Sequence, residues 1–187
     1  MEHETRETRV YDEERARERF GGVNLGAAFF GWLVAMGMTA LLTGILAVAA
    51  TAIGYSENIT QSEAQRAAGT VTLVIAIVLV AVLLIAYYSG GYVAGRMSRF
   101  DGSRQGVAVW VIGLIVTLIA AALGWAAGDQ YNLLDRINLP RIPIPTDDVT
   151  LGGILTGVIV LAGTLIAAMF GGAVGQRYHA RVDRAAL

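Results

Sequence analysis

Four long stretches of the chain carry no acid and no arginine: 20–56, 67–95, 105–128 and 149–176, of 37, 29, 24 and 28 residues. Charged residues crowd into the short segments between them. A bilayer core about 30 Å thick is crossed by about 20 apolar residues in a helix, and every stretch is longer. A membrane strand needs only about 9–11 residues and alternates polar with apolar, a pattern that none of the stretches shows. Pro140, Pro143 and Pro145 sit together outside the stretches, so no ring interrupts a helical ladder. The pattern predicts an all-α membrane protein, a bundle of four transmembrane helices spanning about 27–53, 71–92, 107–126 and 151–174. A charged arm over 1–20, an outer loop over 127–150 and a basic tail over 177–187 complete it.

Composition sharpens this. The 187 residues are 55% hydrophobic and only 16% charged, with a formal net charge of −1. Soluble domains carry about 25% charged residues. A soluble globular enzyme, a disordered chain and a nucleic-acid binder driven by net charge are all excluded. There is no cysteine, which removes disulfides and thiol chemistry. All 14 basic residues are arginine, as in proteins from GC-rich bacterial genomes. The first apolar stretch follows an arm of seven acids and five arginines and is far longer than the 7–15-residue core of a signal peptide, so it is read as a true span.

Orientation follows from the arginines that flank the spans. Eleven lie on one side, in the arm, in the loop between spans two and three (Arg96, Arg99, Arg104) and after span four (Arg177, Arg181, Arg184). Three lie on the other: Arg66, Arg136 and Arg141. Both termini are therefore expected in the cytoplasm, with the protein in the bacterial cytoplasmic membrane. Aromatic residues near the span ends, such as Tyr55, Tyr92, Trp125 and Tyr178, suit the headgroup level. Trp32 and Phe170 are expected to pack between helices instead.

Lipid tails are as apolar as leucine, so membrane helices associate through close approach across small residues. Span one has Gly37, Ala40, Gly44, Ala47, Thr51 and Gly54 at alternating three- and four-residue spacing, and span three has Gly113, Thr117, Ala120, Gly124 and Ala127. Span four uses a strict four-residue step, Gly163, Ala167, Gly171 and Gly175. The expectation is tight packing within the bundle through spans one and three, with span four the candidate contact between subunits.

The inner ends of spans two and four look alike: Gly90-Gly91-Tyr92-Val93-Ala94-Gly95-Arg96 and Gly171-Gly172-Ala173-Val174-Gly175-Gln176-Arg177. A second arginine follows each, Arg99 and Arg181. The repeat suggests a duplicated two-helix hairpin related by an axis along the membrane normal. The paired glycines permit close approach. The arginines hold the helix ends at phosphate level with their stems snorkelling, where membrane lipids are their natural partners. The first of these segments, with Gly106 and the apolar helix after it, resembles a family of small multi-pass bacterial membrane proteins of unknown function that carry a Gly-Gly-aromatic-aliphatic-Ala-Gly-basic motif between two spans. The resemblance covers spans two and three and implies a membrane location without supplying an activity.

Outside the membrane, the arm places Glu2/Arg6 and Glu13/Arg17 four residues apart, a spacing that supports a partly helical, solvated segment. The outer loop is apolar for its place, with Leu133, Leu134, Ile137, Leu139, Ile142 and Ile144. A short interfacial helix is expected near 131–137.

No span holds an acid, an arginine or a histidine, the groups on which ion- and proton-coupled transport depends. His3 and His179 stand apart in separate tails, so no metal site and no cofactor are expected. The reading is a non-enzymatic membrane protein that assembles with itself or with a membrane-protein partner through glycine and alanine seams, and binds no nucleic acid. The alternative is an oligomeric pore lined by threonine and glycine, and lipid handling by the inner arginines is a third option. A reporter that is active only in the cytoplasm, fused after Leu187, should be active, and one that requires export should be silent.

Overall fold

The computed structural model describes residues 15, 21–56, 68–98, 100–131 and 151–185. The charged arm apart from Arg15, the outer segments over 57–67 and 132–150, and Arg99 lie outside the described residues. So do the expected arm helix and most of the expected interfacial helix. Four long helices form among the described residues: α1 (Leu25–Ser56), α2 (Ala68–Met97), α3 (Gly102–Tyr131) and α4 (Leu151–Ala185). Among the described residues there is no strand. Each helix contains 24–29 residues apolar enough to cross a membrane, a length of about 36 to 43 Å at 1.5 Å per residue. This is an integral, multi-pass membrane protein.

The helices outrun the expected spans at the arginine-bearing end. α2 continues to Met97, α3 begins at Gly102, and α4 runs to Ala185, so the basic tail is the end of a helix. α2 and α3 form the centre of the bundle and contact each other. α1 packs against both, α4 packs against both, and α1 and α4 do not touch among the described residues. A strict twofold of two hairpins would demand an α1–α4 contact to match the α2–α3 one, so among the described residues the twofold does not hold across the whole bundle.

Packing is concentrated at the arginine-bearing end. Ala28, Ala94 and Val109 make a fully buried nucleus, with Trp32, Tyr87, Ala108 and Ile112 against it. Trp32 packs between helices as expected, whereas Phe170 is 61% exposed and faces outward. Away from this end the helices part: 43–53 of α1, 115–125 of α3 and 154–159 of α4 are exposed throughout.

The α2–α4 seam shows why. A Cβ added to Gly91 would run into the carbonyl of Ala168, and one on Gly95 into that of Gly172. In return, one on Gly171 would meet the Tyr88 carbonyl and one on Gly175 that of Tyr92. Adding 80 to the α2 residue number and subtracting it from the α4 number turns the first pair of contacts into the second. The two parallel helices thus cross about a local twofold, each presenting two glycines one turn apart. The ungapped sequence alignment pairs Gly90 with Gly171, which is one residue out of this register.

The displaced partner glycines serve other neighbours. Gly90 lies against the backbone of Gly31 on α1, and Gly172 against Gly102 and Gly106 on α3. Adjacent residues of a helix point about 100° apart, so each glycine pair lets one helix meet two neighbours at backbone distance. Where glycine's own hydrogen replaces the added Cβ, it is directed at a carbonyl oxygen, a contact worth about 0.5–1 kcal/mol.

Gly91→Val and Gly171→Val should each lower stability by more than about 2 kcal/mol, since overpacking costs about 1–3 kcal/mol and here the obstacle is backbone. Gly44→Val, with nothing within 4 Å, should stay within about 0.5 kcal/mol. Denaturant titration in mixed micelles, followed by circular dichroism, separates the two classes.

Candidate functional site

The polar chemistry of the described residues gathers at the arginine-bearing end. It begins with the approach to α1. Gly22 has φ +103°, open to glycine and strained for other residues, and turns the chain toward Asn24. The Asn24 side-chain oxygen accepts the Ala27 N–H at 3.0 Å, capping the first turn of α1. Ala27 and Ala28 follow at 3% and 0% exposure, which seats the start of the helix in the bundle.

The α2–α3 connection is equally short. The Ser98 N–H bonds the Ala94 carbonyl, and the Ser98 hydroxyl donates to the Phe100 carbonyl at 2.7 Å. Asp101 takes φ 57°, a left-handed conformation that aspartate tolerates better than most residues. Its carbonyl then accepts the Gln105 N–H, the first bond of α3. One Asp101 carboxylate oxygen accepts the Gly22 N–H at 3.0 Å and lies 3.7 Å from the exposed Arg104 guanidinium.

Gln105 joins these pieces and is fully buried. Its amide nitrogen donates to the Gly22 carbonyl at 2.9 Å and to the Ser98 hydroxyl at 3.2 Å, and its amide oxygen accepts the Asn24 N–H at 3.2 Å. Three of the four hydrogen-bonding positions of the amide are used. A second amide closes the other side. Gln176 of α4 accepts the Gly102 N–H at 2.7 Å, satisfying one of the donors that the start of every helix leaves open. Deeper in the bundle, the Trp110 indole donates to the buried Thr164 hydroxyl at 3.1 Å. These bonds fix the beginnings of α1 and α3 to the ends of α2 and α4. The groups satisfy one another, so the cluster acts as a clasp for the helix ends.

The residues singled out from sequence divide into two groups. Gly90, Gly91, Gly171, Gly172 and Gly175 all lie at close backbone approaches, while Gly113 meets the Tyr87 side chain and Gly163 meets Leu84. Ala167 is half-buried. The four-residue step of α4 is therefore used inside the chain, through Gly163, Gly171 and Gly175 against α2, and its expected role between subunits gives way to this one. Gly37, Gly44 and Gly124 have nothing within 4 Å. They are not seams within the bundle: Gly37 lies on the outward face of α1, between Ala35, Met38 and Thr39, which stay buried or half-buried, and Gly44 and Gly124 lie where the helices have parted.

Among the arginines, Arg96 lies with its guanidinium carbon 3.7 Å from the centre of the Tyr178 ring, and Arg177 is exposed. Arg99 and the side chain of Arg181 fall outside the described residues. Sequence reasoning missed Gly31, Gly102, Gln105 and Gln176. The signal for Gln105 was faint: an uncharged polar residue at the edge of an apolar stretch, where most such residues face water.

Gln105→Leu leaves the Gly22 carbonyl and the Asn24 N–H without their partner, at about 1–3 kcal/mol for each group that stays buried. Amide hydrogen exchange at residues 22–24 should quicken at least about tenfold, while exchange in the middle of α2 stays unchanged.

Comparison of the chain with protein families, with curated proteins and with solved structures finds no match.

Proposed function

We propose that this is a non-enzymatic integral membrane protein that assembles with itself, or serves as the small subunit of a membrane complex, through the diverging halves of α1 and α3. The observation that carries this reading is the contrast between two sets of glycines. Gly31, Gly90, Gly91, Gly95, Gly102, Gly106, Gly171, Gly172 and Gly175 are closed on the backbone of a neighbouring helix, whereas Gly37, Gly44, Gly124 and Gly157 have nothing within 4 Å. In a membrane, a small-residue stripe is favourable where another helix comes close and contributes little against fluid lipid. On this reading Gly37, Ala40, Gly44 and Ala47 on α1, with Gly124 on α3, meet helices of a second copy or of a partner.

The threonines favour assembly over a pore. The hydroxyls of Thr39, Thr51 and Thr117 each donate to the carbonyl four residues before them at 2.8 Å, which commits them to their own helices, and the Thr164 hydroxyl is held between its own helix and the Trp110 indole. We further propose that the arginine-bearing end is cytoplasmic, as the excess of flanking arginines supports.

In mild detergent the purified chain should show a mass above that of one 19.8 kDa copy, by light scattering or native mass spectrometry. Gly37→Leu combined with Gly44→Leu should reduce it to one copy that keeps its helical circular dichroism. A single-copy wild type that brings down no membrane protein would refute the reading, and conductance in a planar bilayer would replace it with the pore.

A further inference from the structure

Of the buried and half-buried polar side chains described inside the spans, Thr39, Ser89, Trp110 and Thr164 are hydrogen-bonded within the bundle. Trp32 and Tyr87 are different. Both pack half-buried against the nucleus of Ala28, Ala94 and Val109. Neither the Trp32 indole N–H nor the Tyr87 hydroxyl has a hydrogen-bond partner among the described residues. No fully buried side-chain nitrogen or oxygen of the described residues is unpaired, so each of these two atoms keeps some surface open to the outside of the molecule.

The two groups converge on one point. A Cβ added to Gly113 of α3 would run into the Tyr87 hydroxyl of α2 and stand 3.4 Å from Cδ1 of Trp32 on α1, the carbon bonded to the indole nitrogen. The side chain that Gly113 lacks thus leaves a notch where three helices meet. Trp32 stands seven residues into α1, Gly113 eleven into α3, and Tyr87 ten from the end of α2, which is about 10–17 Å along the helices. That depth lies within a hydrocarbon core about 30 Å thick, where no water supplies a missing partner. Toward the other end, 43–53 of α1 and 115–125 of α3 are exposed throughout, so the notch is the closed end of the space into which the helices part.

We propose that the notch binds a carbonyl oxygen of a neutral ring compound dissolved in the membrane, of the quinone class. An indole N–H only donates, and a phenol hydroxyl donates as readily as it accepts, so the complement of the pair is an acceptor. No span holds an acid, an arginine or a histidine, and a charged ligand at this depth would lack a counterion. Phospholipid ester carbonyls lie at the edge of the hydrocarbon, shallower than the notch. A quinone carries its carbonyls on a flat apolar ring. The Trp32 ring, with the Phe29 ring centre 5.8 Å away, offers aromatic surface for such a ring to pack on. The apolar tail of the compound then lies in the space between the parting helices. An apolar site with a few placed polar groups is the usual form of a small-molecule pocket.

Native mass spectrometry of the full chain, with decylubiquinone and dioleoyl phosphatidylcholine supplied at equal mole fraction, tests the assignment. The wild type should retain decylubiquinone in at least about fivefold excess, the factor expected for one neutral hydrogen bond. Tyr87→Phe removes one oxygen, keeps the ring and should lower that retention about fivefold. Trp32→Phe should lower it by a similar factor, and Tyr87→Phe carries the test if Trp32→Phe loses its helical circular dichroism. Trp110→Phe removes an indole already bonded to Thr164 and should leave retention within about twofold. Failure of the wild type to retain decylubiquinone, or equal retention by Tyr87→Phe, would overturn the proposal. Preferential retention of the phosphatidylcholine that is lost in Tyr87→Phe would replace the quinone with a phospholipid ester.

Discussion

The bundle depends on the approach of backbone to backbone where α2 crosses α4. Inside a bilayer, burying an apolar side chain against another gains little, because lipid offers the same surroundings. What remains is dispersion at short range, weak Cα–H to carbonyl contacts, and the low entropic cost of residues with no side chain to order. Gly91, Gly95, Gly171 and Gly175 supply all three at one crossing, and a single methyl group at any of them would collide with a carbonyl.

From this crossing the other helices take their places. Gly90 and Gly172, each adjacent in sequence to a crossing glycine, bring α1 and α3 to the same depth. The helix ends that result are close enough for Gln105 and Gln176 to bridge them by side-chain to backbone hydrogen bonds. Buried amides are costly when unpaired and stabilising when paired, so the clasp and the glycine seam reinforce one another. Each places the other's groups within reach.

The concentration of contacts at one end gives the molecule two unlike halves. Near the arginines it has the close packing and full hydrogen bonding of a folded core. Toward the other end, glycine and alanine stripes on α1 and α3 lie exposed. The first half holds the chain together. The second supplies surface for the proposed assembly. That division follows from helices that touch at one end and diverge at the other.

Sequence by itself determined the membrane class, the number of spans and the shared side of both helix termini and the α2–α3 turn, since hydrocarbon demands long charge-free helices and each signal is local and one-dimensional. It also marked Gly90, Gly91, Gly171, Gly172 and Gly175 as a repeated element. Only the tertiary structure decided which neighbour each one meets. Spacing along a helix defines a face, but a stripe such as Gly37 and Gly44 looks the same whether another helix covers it or not. The repeat register shifted by one residue for a related reason: the glycines are matched by the geometry of a crossing, and a pairwise alignment of letters does not contain it. Gln105 was invisible because its burial comes from the approach of residues 22–24, more than eighty positions away along the chain.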